Sequence, residues 1–179
     1  MLTPENTVLV LVDVQERLAR AMHEKEALLE NTVKLVKGAK ILGLPILWTE
    51  QNPKGLGNTL PEVSELISDQ PPITKLSFSC CGEPRFMEQL KPLNRKQALV
   101  AGIESHVCVY QTVVDLVSMG YEVQVVGDAV SSRTPENKMV GLERCKELGA
   151  SVTSTETALF ELLRVAEGDR FKQMLKVVK

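Results

Sequence analysis

Residues 97–119, QALVAGIESHVCVYQTVVDLVSM, decide how this 179-residue chain folds. Ala98, Leu99, Val100 and Ala101 form an unbroken apolar run, the pattern of a strand buried on both faces. Gly102 then opens the turn Gly102-Ile103-Glu104-Ser105-His106, where a larger residue would resist the backbone geometry. Beyond it Val109, Thr112, Val113, Leu116 and Val117 recur at helical spacing, with Ser105 placed to cap the helix, so Cys108 is predicted in its first turn. A thiol there meets free backbone N–H groups and the positive end of the helix dipole. Such positions draw a cysteine from its ordinary pKa of about 8.5 toward about 3.5 to 7.5. Cys108 is therefore the candidate nucleophile, although a small buried core residue accounts for it equally well at this level.

Working outward, strand and helix signals alternate. Upstream, 7–12 (TVLVLV) is a β-branched buried run ending at Asp13. An amphipathic helix follows over 25–42, with Leu28, Leu29, Val33, Val36 and Ile41 on its apolar stripe and Gly43 at its end. PILWT at 45–49 is a second strand, and the glycine-rich EQNPKGLGN at 50–58 reads as a functional loop. A short helix at 61–67, an extended piece at 73–78 and a helix at 83–91 lead to the central strand. Downstream come a strand at 122–126, a helix at 136–148, a strand at 150–153 and helices at 157–165 and 169–177. Alternation of this kind implies parallel pairing through right-handed crossovers. The expected fold is a single domain over 1–179: a three-layer α/β/α, doubly wound, mainly parallel sheet of Rossmann-like type.

Composition bounds the function. With 44% hydrophobic residues the chain can bury one full core. A net charge of −2, no basic run and only one Trp, two Tyr and four Phe argue against nucleic acid as a partner. The start MLTPENTVLV has no basic segment ahead of its apolar stretch, and no run approaches the ~18 apolar residues of a membrane span. The expectation is a soluble cytoplasmic protein with no membrane partner. Cys80, Cys81, Cys108 and Cys145 match neither a disulfide framework nor a CxxC signature, so reduced thiols are expected.

Ligands of doubly wound sheets bind outside the carboxyl ends of the strands. Asp13, residues 49–51, residues 104–108 and Asp128 occupy such ends, and Lys75 lies in the extended 73–78 piece. Among them Asp13, Lys75 and Cys108 make chemical sense together: a carboxylate accepts the thiol proton, and a cation steadies both. Ordinary pKa values put that transfer uphill by about 6 kcal/mol, so the environment must close the gap. Taken singly, Asp13 also reads as a strand-end cap and Lys75 as a surface lysine.

The chain resembles the isochorismatase-like cysteine hydrolases, which include nicotinamidases and N-carbamoylsarcosine amidases. Val12-Asp13-Val14-Gln15 is similar to the family's first-strand D-x-Q. Lys75 with Phe78-Ser79, and Gly102-Ile103-Glu104-Ser105-His106-Val107-Cys108 against G-x-x-[ST]-x-x-C, complete a resemblance spanning residues 8–163. It implies an Asp13–Lys75–Cys108 triad acting on a small-molecule carboxamide or related C–N bond through a thioester. It further implies an oxyanion hole from the backbone amides of Glu104 and Cys108, a cis Ile103–Glu104 peptide, and a homo-oligomer. Strand position and the same analogy nominate Gln15, Trp48, Gln51 and Phe78 as substrate-pocket lining. No cofactor is implied. The D-x-H…H metal site of nicotinamidases is replaced by Glu50, Gln51 and Asn52, and the chain has only His23 and His106, so no metal is expected. Isochorismatases that cleave a vinyl ether generally lack the cysteine, which favours acyl chemistry here. The alternatives are a binding or scaffold protein that keeps the fold, and a dinucleotide-dependent oxidoreductase. The latter is ranked last, because the turn Asp13-Val14-Gln15-Glu16-Arg17 has no glycine.

Overall fold

Six strands form one sheet in the order β3-β2-β1-β4-β5-β6, with each neighbouring pair parallel. The computed structural model describes residues 1–179. The strands are β1 (Thr7–Val12), β2 (Ile46–Gln51), β3 (Ile73–Lys75), β4 (Gln97–Ile103), β5 (Glu122–Ser131) and β6 (Ser151–Thr153). The helices are α1 (Glu16–Arg20), α2 (Lys25–Leu42), α3 (Pro53–Leu56), α4 (Pro61–Ser64), α5 (Pro84–Leu90), α6 (Tyr110–Ser118), α7 (Pro135–Glu147), α8 (Thr155–Leu163) and α9 (Gly168–Val178). None is long and apolar enough to cross a membrane.

Strand side chains alternate between two cores because successive residues point to opposite faces. Leu9, Leu11, Ile46, Trp48, Leu99 and Ala101 pack with Leu35, Val36 and Ala39 of α2, Leu159 of α8 and Met174 of α9. On the other face, Val8, Val10, Val12, Leu47, Ala98 and Val100 pack with Phe86 of α5, Val113 and Leu116 of α6, and Leu142 of α7. Side chains such as Phe86 and Leu116 are wholly buried, each a contribution of about 1.5–3 kcal/mol. The three layers follow directly from continuous apolar strands.

The chain builds outward from β1 to β2 and β3, then returns to lay β4 on the other side of β1. That reversal opens a crevice between the ends of β1 and β4, the place where such sheets take ligands. Gly102 is indispensable at the close of β4: its φ is +114°, and a Cβ there would lie 2.0 Å from the Val12 carbonyl oxygen.

Beyond shifts of a residue or two at element ends, the structure departs from expectation at four elements. The extended 73–78 piece is a strand only over Ile73–Lys75. Two short helices, α1 and α3, occupy stretches expected to be turn and loop. The fifth strand does not stop at Val126; the register slips between Val100/Gly102 and Val125/Val130, so β5 bulges and resumes to Ser131.

Candidate active site

Asp13 leaves β1 with φ +50° and its side chain fully buried. Lys75 ends β3, also with no exposed side-chain surface, and its Nζ donates to Asp13 Oδ2 at 2.7 Å. The same Nζ is within bonding distance of Gln51 Oε1 (2.9 Å), the Phe78 carbonyl (2.9 Å) and the Ser77 carbonyl (3.1 Å). An ammonium has three protons, so these four oxygens saturate it. The other carboxylate oxygen, Asp13 Oδ1, accepts from Thr49 Oγ1 at 2.7 Å. This is a buried ion pair with its remaining polar capacity met, the condition under which such a pair is tolerated inside a protein.

Cys108 belongs to the core on the Val10 and Val12 face of the sheet, together with Cys80, and is 6% exposed. Its backbone is not the first turn of an ordinary α-helix: residues Ser105–Val109 form a π-helical turn that runs into α6. Ser105 does not cap it. No side-chain cap is made there, and Ser105 Oγ turns instead to Ser132 Oγ. The peptide Ile103–Glu104 is cis.

The thiol is not drawn toward thiolate. Burial, then the negative charge of Asp13, push Cys108 up to about 12, and the opposing pull of Lys75 does not compensate. The helix-dipole expectation fails because the thiol is buried: desolvation penalises the charged sulfur more than the cation and the helix end favour it. Cys108 rests as a neutral thiol beside a carboxylate.

The nominated lining residues divide. Gln15 is fully buried and spent on the backbone: its Nε2 donates to the carbonyls of Gln51 (3.0 Å) and Gly57 (2.7 Å), and its Oε1 accepts from Gln51 N (2.7 Å). Gln51 is likewise engaged, accepting from Lys75 and donating to the Leu76 carbonyl at 2.9 Å. Gln51 touches the ion pair directly through Lys75, and Gln15 holds the Gln51 backbone in place. Phe78 is 53% exposed next to Leu76 at 77%, an apolar edge on the loop that follows Lys75. Trp48 is not brought to the crevice: it points into the α2/α8 core, on the sheet face opposite Cys108, with its Nε1 buried and unpartnered. Period-two alternation makes this inevitable once Thr49 faces Asp13.

The sequence does not single out Ser132 or Cys80, and it gives Thr49 only as part of the strand end at 49–51. Cys80 is fully buried, with Sγ 3.6 Å from Thr49 Oγ1, and burial followed by the Asp13 charge raises its thiol to about 11. A hint for Thr49 lay in its position at the end of β2, already named as a strand end. Glu50, where a metal ligand would stand in nicotinamidases, accepts from the Thr59 amide (2.7 Å) and hydroxyl (2.9 Å). No group of three or more His, Cys, Asp or Glu side chains is placed to hold a metal ion.

The parallel α/β sheet carries a thiol, a carboxylate and a lysine near its switch point. Residues 7–157 match the Isochorismatase domain, and the chain belongs to that family. It is 38% identical over 99% of its length to the secreted isochorismatase effector Isc1 of Phytophthora sojae, covering 87% of that protein. Among solved structures it superposes on the MAR1 ribonuclease of Caenorhabditis elegans with a TM-score of 0.93 at 34% identity, over 99% of this chain and 91% of that one. It matches the octameric Escherichia coli YcaC hydrolase of unknown specificity equally well in fold, TM-score 0.93, at 24% identity over 98% of this chain and 88% of the other.

Proposed function

We propose that the chain is a cysteine hydrolase of small-molecule carboxamides or related C–N bonds, with Asp13, Lys75 and Cys108 as its catalytic residues. The observation that carries this reading is the fully buried Lys75–Asp13 pair set beside a neutral Cys108 thiol. A carboxylate held in place by two donors is a fixed proton acceptor, and a thiol that ionises only as it attacks avoids a standing charge in a buried site.

In this mechanism the Cys108 sulfur bonds to the carbonyl carbon while its proton passes to Asp13. The carbonyl π pair moves to oxygen, where the amides of Glu104 and Cys108 receive it. As the carbonyl re-forms, the C–N bond breaks and the amine leaves with the proton from Asp13. Water then adds to the thioester, giving a proton to Asp13, and the thiol departs with that proton. Lys75 keeps the carboxylate oriented throughout. Gln15 and Gln51 brace that arrangement, and Phe78 contributes an apolar rim; Trp48 has no part in binding.

The test is a panel of small amides incubated with purified protein, scoring amine release and, by intact mass, acyl adducts on Cys108. Release that disappears in Cys108→Ala supports the reading; wild-type release in that variant ends it. A second reading, RNA cleavage, is favoured by the likeness to the MAR1 ribonuclease. The −2 net charge speaks against it, and a labelled RNA panel run beside the amides separates the two. We also propose self-assembly, as in the octameric YcaC, readable by light scattering.

A further inference from the structure

A hydrogen-bonded group separate from the Asp13–Lys75 pair grips the turn that bears the nucleophile. Ser132 Oγ lies 2.6 Å from Ser105 Oγ and 2.9 Å from His106 Nδ1. Ser105 Oγ in turn reaches the Lys138 carbonyl of α7 at 3.4 Å. One hydroxyl thus ties the two residues that begin the Cys108 turn, and Ser132 and Ser105 are both buried, where bulk water does not compete. Ser132 itself is held by its backbone: the His23 amide donates to its carbonyl at 2.9 Å, and neighbouring Ser131 Oγ donates to the His23 carbonyl at 2.6 Å.

Two further features show that this contact is built in. The bulge in β5 carries the strand past Val126 to the level of Gly102 and Ile103, which delivers Ser131 and Ser132 beside the turn. On the opposite side Gly141 lets α7 approach: a Cβ there would fall 2.6 Å from the carbonyl carbon and oxygen of Ser105. The turn's own amide bonds, from Val107 and Val109, both end on the Glu104 carbonyl, and so fix its shape more than its seat on the sheet.

We propose that Ser132 is a positioning residue for Cys108, setting where the π-helical turn sits against β5 and so aligning the sulfur with Asp13. The proposal rests on Cys108 as the reacting thiol. Misplacing a reacting group by about 1 Å costs on the order of a hundredfold in rate, so loss of this tether reaches the chemistry without touching it.

The experiment uses the full chain and two electrophiles. Acrylamide, a carboxamide, reports on the aligned site; methyl methanethiosulfonate reports on bare exposure of the thiol. Labelling of Cys108 is followed by peptide mass across pH. For Ser132→Ala the expected result is a fall of about tenfold or more in the acrylamide rate with no fall in the thiosulfonate rate, and recovery of the acrylamide rate in Ser132→Thr. Ser105→Ala removes the same bond from its other end and carries the test if Ser132→Ala does not fold. The double variant is expected to fall short of the sum of the two singles, because both delete the shared Ser132–Ser105 bond while each also loses one of its own, Ser132 to His106 or Ser105 to Lys138. A wild-type acrylamide rate in either single variant overturns the proposal, as does an equal fall with both electrophiles. Neither readout involves amide turnover, so the hydrolase reading stands or falls separately, on Cys108→Ala in the amine-release assay.

Discussion

Lys75 Nζ and Asp13 Oδ2 lie 2.7 Å apart with neither side chain touching solvent. Removing one partner strands a buried charge, so Lys75→Met is expected to cost about 3–5 kcal/mol by urea denaturation. The double variant Lys75→Met with Asp13→Asn is expected to recover part of that loss, since neither charge remains. A Lys75→Met protein as stable as wild type would mean that the pair is hydrated in solution.

The thiols give an alkaline signature. Cys80 and Cys145 are raised to about 11 and Cys81 and Cys108 to about 12, in each case mainly by burial. The unfolded chain releases these protons near its ordinary thiol pKa of about 8.5, the folded chain only later. Above that pH the unfolded state therefore binds fewer protons than the native one, and stability falls as pH rises. The urea midpoint is expected to hold flat through neutral pH and to drop between about pH 9 and 11, less steeply in Cys145→Ala. A midpoint unchanged across that window counts against buried, neutral thiols.

Much of this was legible in the sequence. The unbroken apolar strands and the glycine before the turn announce the layers, and the strand-end positions of Asp13 and Cys108 point to one end of the sheet, because each depends on local pattern. What was hidden depends on the third dimension. The face of β2 that Trp48 occupies is fixed by its neighbour Thr49 bonding to Asp13, a contact across 36 positions in the chain. The role of Ser132 required the β5 bulge, which no periodicity of 122–131 foretells. The thiol's raised pKa reflects burial, whereas its place near a helix start suggested the reverse.

Trp48 offers a direct check of that correction. Its buried Nε1 has no acceptor, a donor whose desolvation is uncompensated. Trp48→Phe removes the orphan at the expense of some packing, and a stability change within about 1.5 kcal/mol is expected. Acrylamide labelling of Cys108 should match wild type in this variant; a marked change in that rate would return Trp48 to the site.

Gly102 has no substitute. With φ at +114° and the Val12 carbonyl where a Cβ would go, Gly102→Ala is expected to lose about 3 kcal/mol or more, or to leave no soluble protein. Circular dichroism with a urea titration settles it, and a folded variant of near wild-type midpoint would contradict the close approach of β1 and β4.

Divalent ions should be dispensable. Glu50 is engaged with Thr59 and Gln51 with Lys75, leaving the second strand end without free ligands of the nicotinamidase kind. Dialysis against EDTA is expected to leave amine release and Cys108 labelling unchanged, and loss restored by added zinc or magnesium would reverse this.

The glycine-rich segment after β2 is fastened to the start of the chain at several points. Gln15 holds its Gln51 and Gly57 carbonyls, Arg17 donates to the Gly55 carbonyl, and the Glu16 amide donates to that of Asn58. To open, such a segment would have to break these bonds together. The strand end beside Asp13 and the segment that follows β2 are thereby one hydrogen-bonded unit, and neither can shift without the other.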